Sequence, residues 1–317
     1  MKKSFEMFSF IQQLVAIDHR QLENETKAAN LILQILDTYK IPYKKHSFPT
    51  EIPDFKSSKL VVDGKVIPST PTSFVSGKIH GKDNIVSSFI SGTHIETESN
   101  INFNPHCHGI SRANHYFVPS LAVAADDIPK IVHAKKVEGE VKVLRTKHTS
   151  LNILVGNTKN PKNVLFCHYD SFGPGAIDNA SGTSILLKLA IDHPETYENT
   201  LYVIGGNEEL SYDKPTFWGR GYRMFEKKYL DVLKNAKHIF VVDSLGNGKT
   251  VINQDSELLF LGFPIKNLQQ WLNKTYMVYG DIQDLFSVYH SEFDTVEKVK
   301  PEYLDDAIRK LLKRIKS

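Results

Sequence analysis

The stretch NVLFCHYDSFGPGAIDNASG, residues 163–182, decides the fold. Its apolar run Val164–Cys167 is short, continuous and bounded by turn residues, which reads as a strand buried on both faces. His168 and Asp170 follow that strand directly, and Asp178 lies ten residues beyond His168, just before a helical segment near 181–192. The same texture repeats outward. Leu151–Val155, Leu201–Ile204 and Ile239–Val242 are further short apolar runs, and a second helical segment falls near 221–235. Continuous apolar strands alternating with helices indicate an α/β sheet covered on both faces.

Ligands of open α/β sheets bind outside the carboxyl ends of the strands. Three more clusters of acid or histidine stand in such places: Glu208-Glu209 in 204–210, Asp243 in 240–244, and His290 in 289–295. Taken singly, each reads as a helix cap, a satisfied polar group or surface charge. Taken together, oxygen and imidazole donors suit zinc, with cobalt or manganese as substitutes. The count fits two ions, with His168 and Asp243 on one, Glu209 and His290 on the other, and Asp178 bridging. Two metals ~3.5–4 Å apart clamp a hydroxide and polarise a carbonyl. Glu208 is left over as general base. Asp170, two residues from His168, is placed to orient the imidazole.

These residues resemble a known family, the co-catalytic di-zinc aminopeptidases of the aminopeptidase Y and bacterial leucyl aminopeptidase type. The resemblance rests on His168-Tyr169-Asp170-Ser171, on Gly175-Ala176-Ile177-Asp178-Asn179-Ala180-Ser181-Gly182, on Glu208-Glu209, on Asp243, and on His290 with Asp294-Thr295. It implies a largely parallel mixed sheet between helices, of the zinc exopeptidase (phosphorylase/hydrolase-like) kind. It implies a pair of zinc ions, the same five ligands with Glu208 as base, and a cis peptide between Asp178 and Asn179. The chain departs from the family after Leu210, where Ser211-Tyr212-Asp213-Lys214-Pro215 reads as a short insertion at the rim of the site. The 47 residues from Asp243 to His290 are compact, so the pocket wall is expected to be abbreviated. The family's oxyanion-holding tyrosine has candidates in Tyr276, Tyr279 and Tyr289, each of which also reads as packing.

Around this core, 4–16 and 24–40 read as amphipathic helices. The texture from about 41 to 147 is turn-rich, with short β-like runs Lys59–Val62 and Ile85–Ile90 and a helix near 127–137. Residues 118–157 look like the end of a protease-associated-type insertion. The expected organisation is a discontinuous catalytic domain, 1–50 and 148–317, with a β-rich lid or apical subdomain at 51–147. Such a module restricts substrate size, mediates assembly or covers a sheet edge. His106 and His108 share a face if extended but lack a third ligand. Cys107 and Cys167 make no disulfide framework, and Cys167 reads as a small buried hydrophobe. Pro301 opens an amphipathic helix that closes the chain.

The composition narrows the function classes. The 317 residues are 41% apolar and 24% charged with a formal charge of +3, which is globular and too weakly basic for a nucleic-acid footprint. No apolar run reaches the ~18–20 residues of a membrane span. Glu6, Gln12 and Gln13 interrupt the start where a signal peptide would be apolar, so a cytoplasmic protein is expected. The leading expectation is an aminopeptidase acting on peptides, with homo-oligomerisation left open. Carboxypeptidase action with Arg220 as carboxylate clamp is a variant of it. The rivals are a glutaminyl-cyclase-like zinc acyltransferase and a non-catalytic binding protein on the same fold.

Overall fold

A computed structural model describes residues 4–82, 84–89 and 97–316. In chain order the elements are α1 (Met7–Val15), α2 (Glu23–Thr38), β1 (Tyr43–Val62), β2 (Lys65–Ile67), β3 (Thr70–Pro71), β4 (Gly77–His80), β5 (Ile85–Ser87), β6 (Asn100–Phe103) and β7 (Ser120–Ala122). There follow α3 (Ile128–His133), β8 (Val137–Gly156), β9 (Asn163–His168), α4 (Gly182–Asp192), β10 (Thr200–Gly205), α5 (Arg220–Lys228), α6 (Leu230–Asn235) and β11 (His238–Val242). The chain ends with β12 (Val251–Asn253), α7 (Ser256–Gly262), α8 (Leu268–Trp271), β13 (Thr275–Tyr279), α9 (Ile282–Phe286) and α10 (Pro301–Ile315). It divides into two units, the first being Met1–Thr50, Thr149–Leu285 and Thr295–Ser317, the second Glu51–His148 and Phe286–Asp294.

The four apolar runs do become strands of a mixed α/β sheet in the first unit. β10, β9, β11 and β13 run parallel, while β8 and β12 join antiparallel at the flanks. Every residue of β9 and β10 is buried, because helices cover both faces. On one face Val164, Phe166, Val203 and Val241 meet Tyr222 and Phe225 of α5, Leu233 of α6 and Trp271 of α8. On the other face α1 and α10 pack on α4. Strand alternation sends Phe166 into the first layer and Cys167 toward Thr183 of α4, with Sγ to Oγ1 at 3.8 Å.

The helical segment near 221–235 is two helices, α5 and α6, broken at Tyr229. Lys59–Val62 is the end of the 20-residue strand β1, and the helix near 127–137 shrinks to six residues. The run expected at Ile85–Ile90 is a strand over Ile85–Ser87, and Ile90 lies outside the described residues. The second unit holds a four-stranded sheet in the order β3-β7-β6-β5 and its own core around Leu60, Ile79, Leu121 and Ile131. Phe286–Asp294 belongs there, tied by Asn104 Nδ2 to the Phe286 carbonyl at 2.9 Å and by Ser111 Oγ to the Tyr289 carbonyl at 2.6 Å. Among the described residues no helix is long and apolar enough to cross a membrane.

Candidate metal centre

Gly205 of β10 pairs with His168 of β9, and Val241 of β11 pairs with Phe166. The carboxyl ends of three parallel strands therefore stand side by side. His168 closes β9, Glu208 and Glu209 follow β10 by three and four residues, and Asp243 follows β11 directly. One edge of the sheet thus gathers groups that lie up to 75 residues apart in the chain.

Asp178 arrives by a wide irregular turn, Ala176–Ser181, that precedes α4, and the Asp178–Asn179 peptide is cis, as the family resemblance implied. The turn is bracketed to the end of β11. Asn179 Nδ2 donates to the Val242 carbonyl at 3.0 Å, and its Oδ1 accepts from Gly182 N at 2.9 Å. The Ser181 hydroxyl donates to the Ile177 carbonyl at 2.7 Å and accepts from Leu245 N at 3.1 Å. Gly182 is required by close approach, because a Cβ there would stand 2.2 Å from Asn179 Oδ1.

His168 Nε2 lies 3.2 Å from Asp178 Oδ1 and 3.6 Å from Asp243 Oδ2. Donor atoms of His168, Asp178 and Glu209, all buried, fall within 4.8 Å of one another. Among the described residues no other set of three His, Cys, Asp or Glu side chains draws together in this way. His106 and His108 make no such group; His106 packs its ring on Phe89 and Phe286, and His108 meets Asp126 at the surface.

Asp170, Asp178, Glu208 and Glu209 are all buried, and Asp243 is nearly so. Burial favours the neutral form of His168, but the charge of Asp243 and the bonds to Asp170, Asp178 and Asp243 hold its pKa well above the usual value. Glu208 is also held well above the carboxylate range, first by burial and then by Glu209, Asp170 and Asp243, with His168 opposing. Five acidic side chains share this space with one imidazole, and buried charges persist when paired or when they coordinate metal. The donor set of imidazole and carboxylate oxygen fits a zinc-type cation.

The carboxylate of Asp170 does more for the glutamates than for the histidine. His168 Nδ1 sits 3.1 Å from the Asp170 carbonyl oxygen, and 3.6 Å from its carboxylate. The carboxylate instead accepts from Glu208 N at 3.0 Å, Glu209 N at 2.9 Å and Gln21 Nε2 at 3.3 Å. His290 belongs to the second unit, where its Nδ1 faces the Arg112 carbonyl at 3.2 Å and its ring stacks on Tyr289.

Two further side chains change the reading of the rim. Arg220 is engaged and does not serve as a free carboxylate clamp. It pairs with Asp213 at 3.0 Å and donates to the Pro49 carbonyl at 2.6 Å. Asp213 is held by Arg223 as well, at 3.0 Å, which pins the insertion. Arg20 carries no motif in the sequence, yet it is fully buried and donates to the carbonyls of Tyr169, Pro174 and Gly175 at 2.6, 2.6 and 3.0 Å. It fixes the loop between His168 and Asp178. Tyr276 stacks on Phe240, and the Tyr279 hydroxyl accepts from Asn253. Both cysteines are free and buried, and burial pushes the Cys167 thiol up to about 12, so it is no nucleophile.

Residues 152–257 match peptidase family M28. The resemblance to the co-catalytic zinc aminopeptidases is thereby borne out at the segment that carries most of the donors. A stretch of 104 residues is 33% identical to aminopeptidase YwaD of Bacillus subtilis (strain 168), covering 29% of this chain and 22% of that protein. The match thus spans about a fifth of the length of that relative. A solved zinc aminopeptidase from Bacillus subtilis is 19% identical, with a TM-score of 0.68 over 95% of this chain and 91% of that one. An aminopeptidase from Aneurinibacillus sp. strain AM-1 is 17% identical, with a TM-score of 0.63 over 98% and 93%. At these identities the likeness shows the fold alone.

Proposed function

We propose that the chain is a di-zinc exopeptidase that removes N-terminal residues from peptides. The observation that carries this is the buried convergence of His168, Asp178 and Glu209 within 4.8 Å at the carboxyl ends of the parallel strands. The M28 match over 152–257 supports it. His168, Asp243, Asp178 and Glu209 would hold the ions, and the family resemblance adds His290. When bound, such a pair supplies Lewis-acid polarisation of the scissile carbonyl and acidifies a water.

Glu208 accepts the proton of the attacking water on its carboxylate and delivers it to the nitrogen of the leaving amine. One C–O bond forms, one C–N bond breaks, and the carboxylate is regenerated. Burial raises the pKa of Glu208, which makes its carboxylate a stronger base toward the attacking water. Asp170 holds the amides of Glu208 and Glu209 and so fixes where both side chains start. Two free thiols fit a reducing compartment such as the cytoplasm.

The test uses purified full-length protein, chelated and then restored with zinc or cobalt, on a panel of peptides with free N-termini. Mass spectrometry reads the products, and metal analysis counts ions per chain. Stepwise loss of N-terminal residues that needs metal, with two ions per chain, supports the proposal. One ion per chain together with cyclisation of N-terminal glutamine would replace it with the acyltransferase. A folded, metal-loaded protein that cuts nothing overturns it.

A further inference from the structure

The turn that carries Glu208 and Glu209 is held by a polar grip that no motif announces. β10 ends in Gly205, and Asn207 follows in the left-handed region at φ 55°. Asparagine tolerates this region better than most residues. The side chain of Asn207 is fully buried. Its Nδ2 donates to the Leu210 carbonyl at 2.7 Å, closing a four-residue turn with both glutamates inside it. Its Oδ1 accepts from the Thr50 hydroxyl at 2.6 Å, a residue of β1 that is itself buried.

The main chain of the turn is caught from the other side as well. The Asn207 carbonyl accepts from Gly221 N at 3.0 Å, and the Glu208 carbonyl from Gly219 N at 2.5 Å. Gly206 is packed closely, since a Cβ there would stand 2.5 Å from both Glu25 Oε1 and the Tyr169 hydroxyl. Asp170 fixes the amides of the two glutamates, and Asn207 fixes the carbonyl at the exit of their turn.

We propose that Asn207, gripped by Thr50, is a positioning residue for Glu208 and Glu209. This rests on the reading of Glu208 as base and Glu209 as ligand. The side-chain amide of Asn207 is spent on the Leu210 carbonyl and the Thr50 hydroxyl. It sets the backbone from which both carboxylates project, and Thr50 sets Asn207. A group that must be held to within a fraction of an ångström needs such support from outside the reacting set.

Thr50 offers a clean test because it is remote in sequence from every donor. Thr50→Val replaces the hydroxyl by a methyl at nearly constant volume; Thr50→Ser keeps the hydroxyl and gives up the methyl. Full-length protein of each kind is loaded with zinc. Turnover is measured on free N-terminal tetrapeptides that begin with Ala, Leu, Phe or Lys. Zinc affinity is measured separately by competition with a chromogenic chelator. Thr50→Val is expected to lower kcat, or to weaken zinc binding, by about tenfold. KM should stay within about twofold, and Thr50→Ser should behave as wild type.

Equal kcat and equal zinc affinity in all three proteins overturn the proposal. So does an equal loss in Val and Ser, which would mark packing. Glu208→Gln is run alongside. If it turns over normally, the base reading fails on its own while the zinc arm still judges the grip on Glu209. If wild type cuts none of the peptides, the zinc arm again decides.

Discussion

The parallel strands β9, β10 and β11 have two ends, and both are charged. At the carboxyl end stand His168, Asp170, Asp178, Glu208, Glu209 and Asp243. At the amino end a cavity of about 450 Å³ is lined by Lys162, Lys237, Lys316 and His238, with Glu195 as the one acid among its lining residues. The difference is burial. The acids at the carboxyl end are withdrawn from water and their places are fixed by amides and carbonyls from distant segments. The lysines at the amino end stay exposed, and the Lys316–Glu195 pair at 2.9 Å leaves both side chains about half exposed. Charge alone therefore does not mark a site; like charges buried together at a cost do.

Glu208→Gln cuts deepest into that contrast. The amide keeps the shape but cannot take a proton from water, and general acid–base help is worth about 10²–10⁴-fold. We expect kcat to fall by that factor while metal analysis finds the ion content unchanged. Normal turnover in the metal-loaded variant would strip the buried end of its proposed chemistry. Asp170→Asn comes next. Its two oxygens accept from two amides, so an NH2 in place of either one sets a donor against a donor. A loss of about 10–100-fold in activity or metal affinity is expected, read by steady-state kinetics and a zinc competition assay. A neutral result would mean that the Glu208–Glu209 turn holds itself.

The same contrast decides what was legible in the sequence. His168 and Asp243 were readable because each directly follows a short apolar run, and such runs become buried strands. Asp178 was readable through Asn179 and Ser181, whose side chains bracket the turn and so must be those residues. The resemblance then put Glu208 and Glu209 in context. The long strand β1 was not readable, because it contains Pro49 and Pro53 and its burial alternates irregularly. α7, α8 and α9 are seven, four and five residues long, too short for helical periodicity to emerge. Arg20, Thr50 and Asn207 carry no local signal at all. Arg20 reaches Tyr169 across 149 residues and Thr50 reaches Asn207 across 157, so these roles appear only when the chain is folded. Arg220 misled because its guanidinium is claimed by nearby Asp213 and, across 171 residues, by the Pro49 carbonyl.

His46 separates burial from function. It sits on β1 between Phe48 and Tyr229, with Nδ1 3.4 Å from Asn152 Nδ2. Burial first, and then the charge of Lys228, pushes its pKa down to about 4. An unfolded histidine binds its proton near 6.5, so between about 6.5 and 4 the unfolded state takes up a proton that the folded state refuses. The stabilisation is full above about 6.5 and is lost as pH falls toward 4. After allowance for solvent screening it amounts to on the order of 2 kcal/mol. The difference in urea midpoint between wild type and His46→Gln should therefore change with pH across that window. A constant difference would show that the ring is not kept neutral, and that burial in β1 is looser than the contacts imply.

Glu195 supplies the smallest effect and the sharpest check on the comparison. The hydrogen bond from Lys316 is the main reason its pKa falls to about 2, with burial opposing. The sign is that of a depressed acid. Its stabilisation is present above the unfolded value near 4.3 and is lost as pH falls toward 2. Solvent screening reduces an exposed pair of this kind to roughly 0–0.5 kcal/mol. For a chain of this length that is about 1 °C or less in Tm for Glu195→Gln at neutral pH, and less again at high salt. Asp170 and Glu195 each accept strong hydrogen bonds, but only Asp170 does so with no water at hand. If Glu195→Gln costs several degrees, or if its cost persists at high salt, the amino end is not the solvated surface it looks like. Burial would then no longer distinguish the two ends, and the cavity beside Glu195 would have to be read as a second organised site.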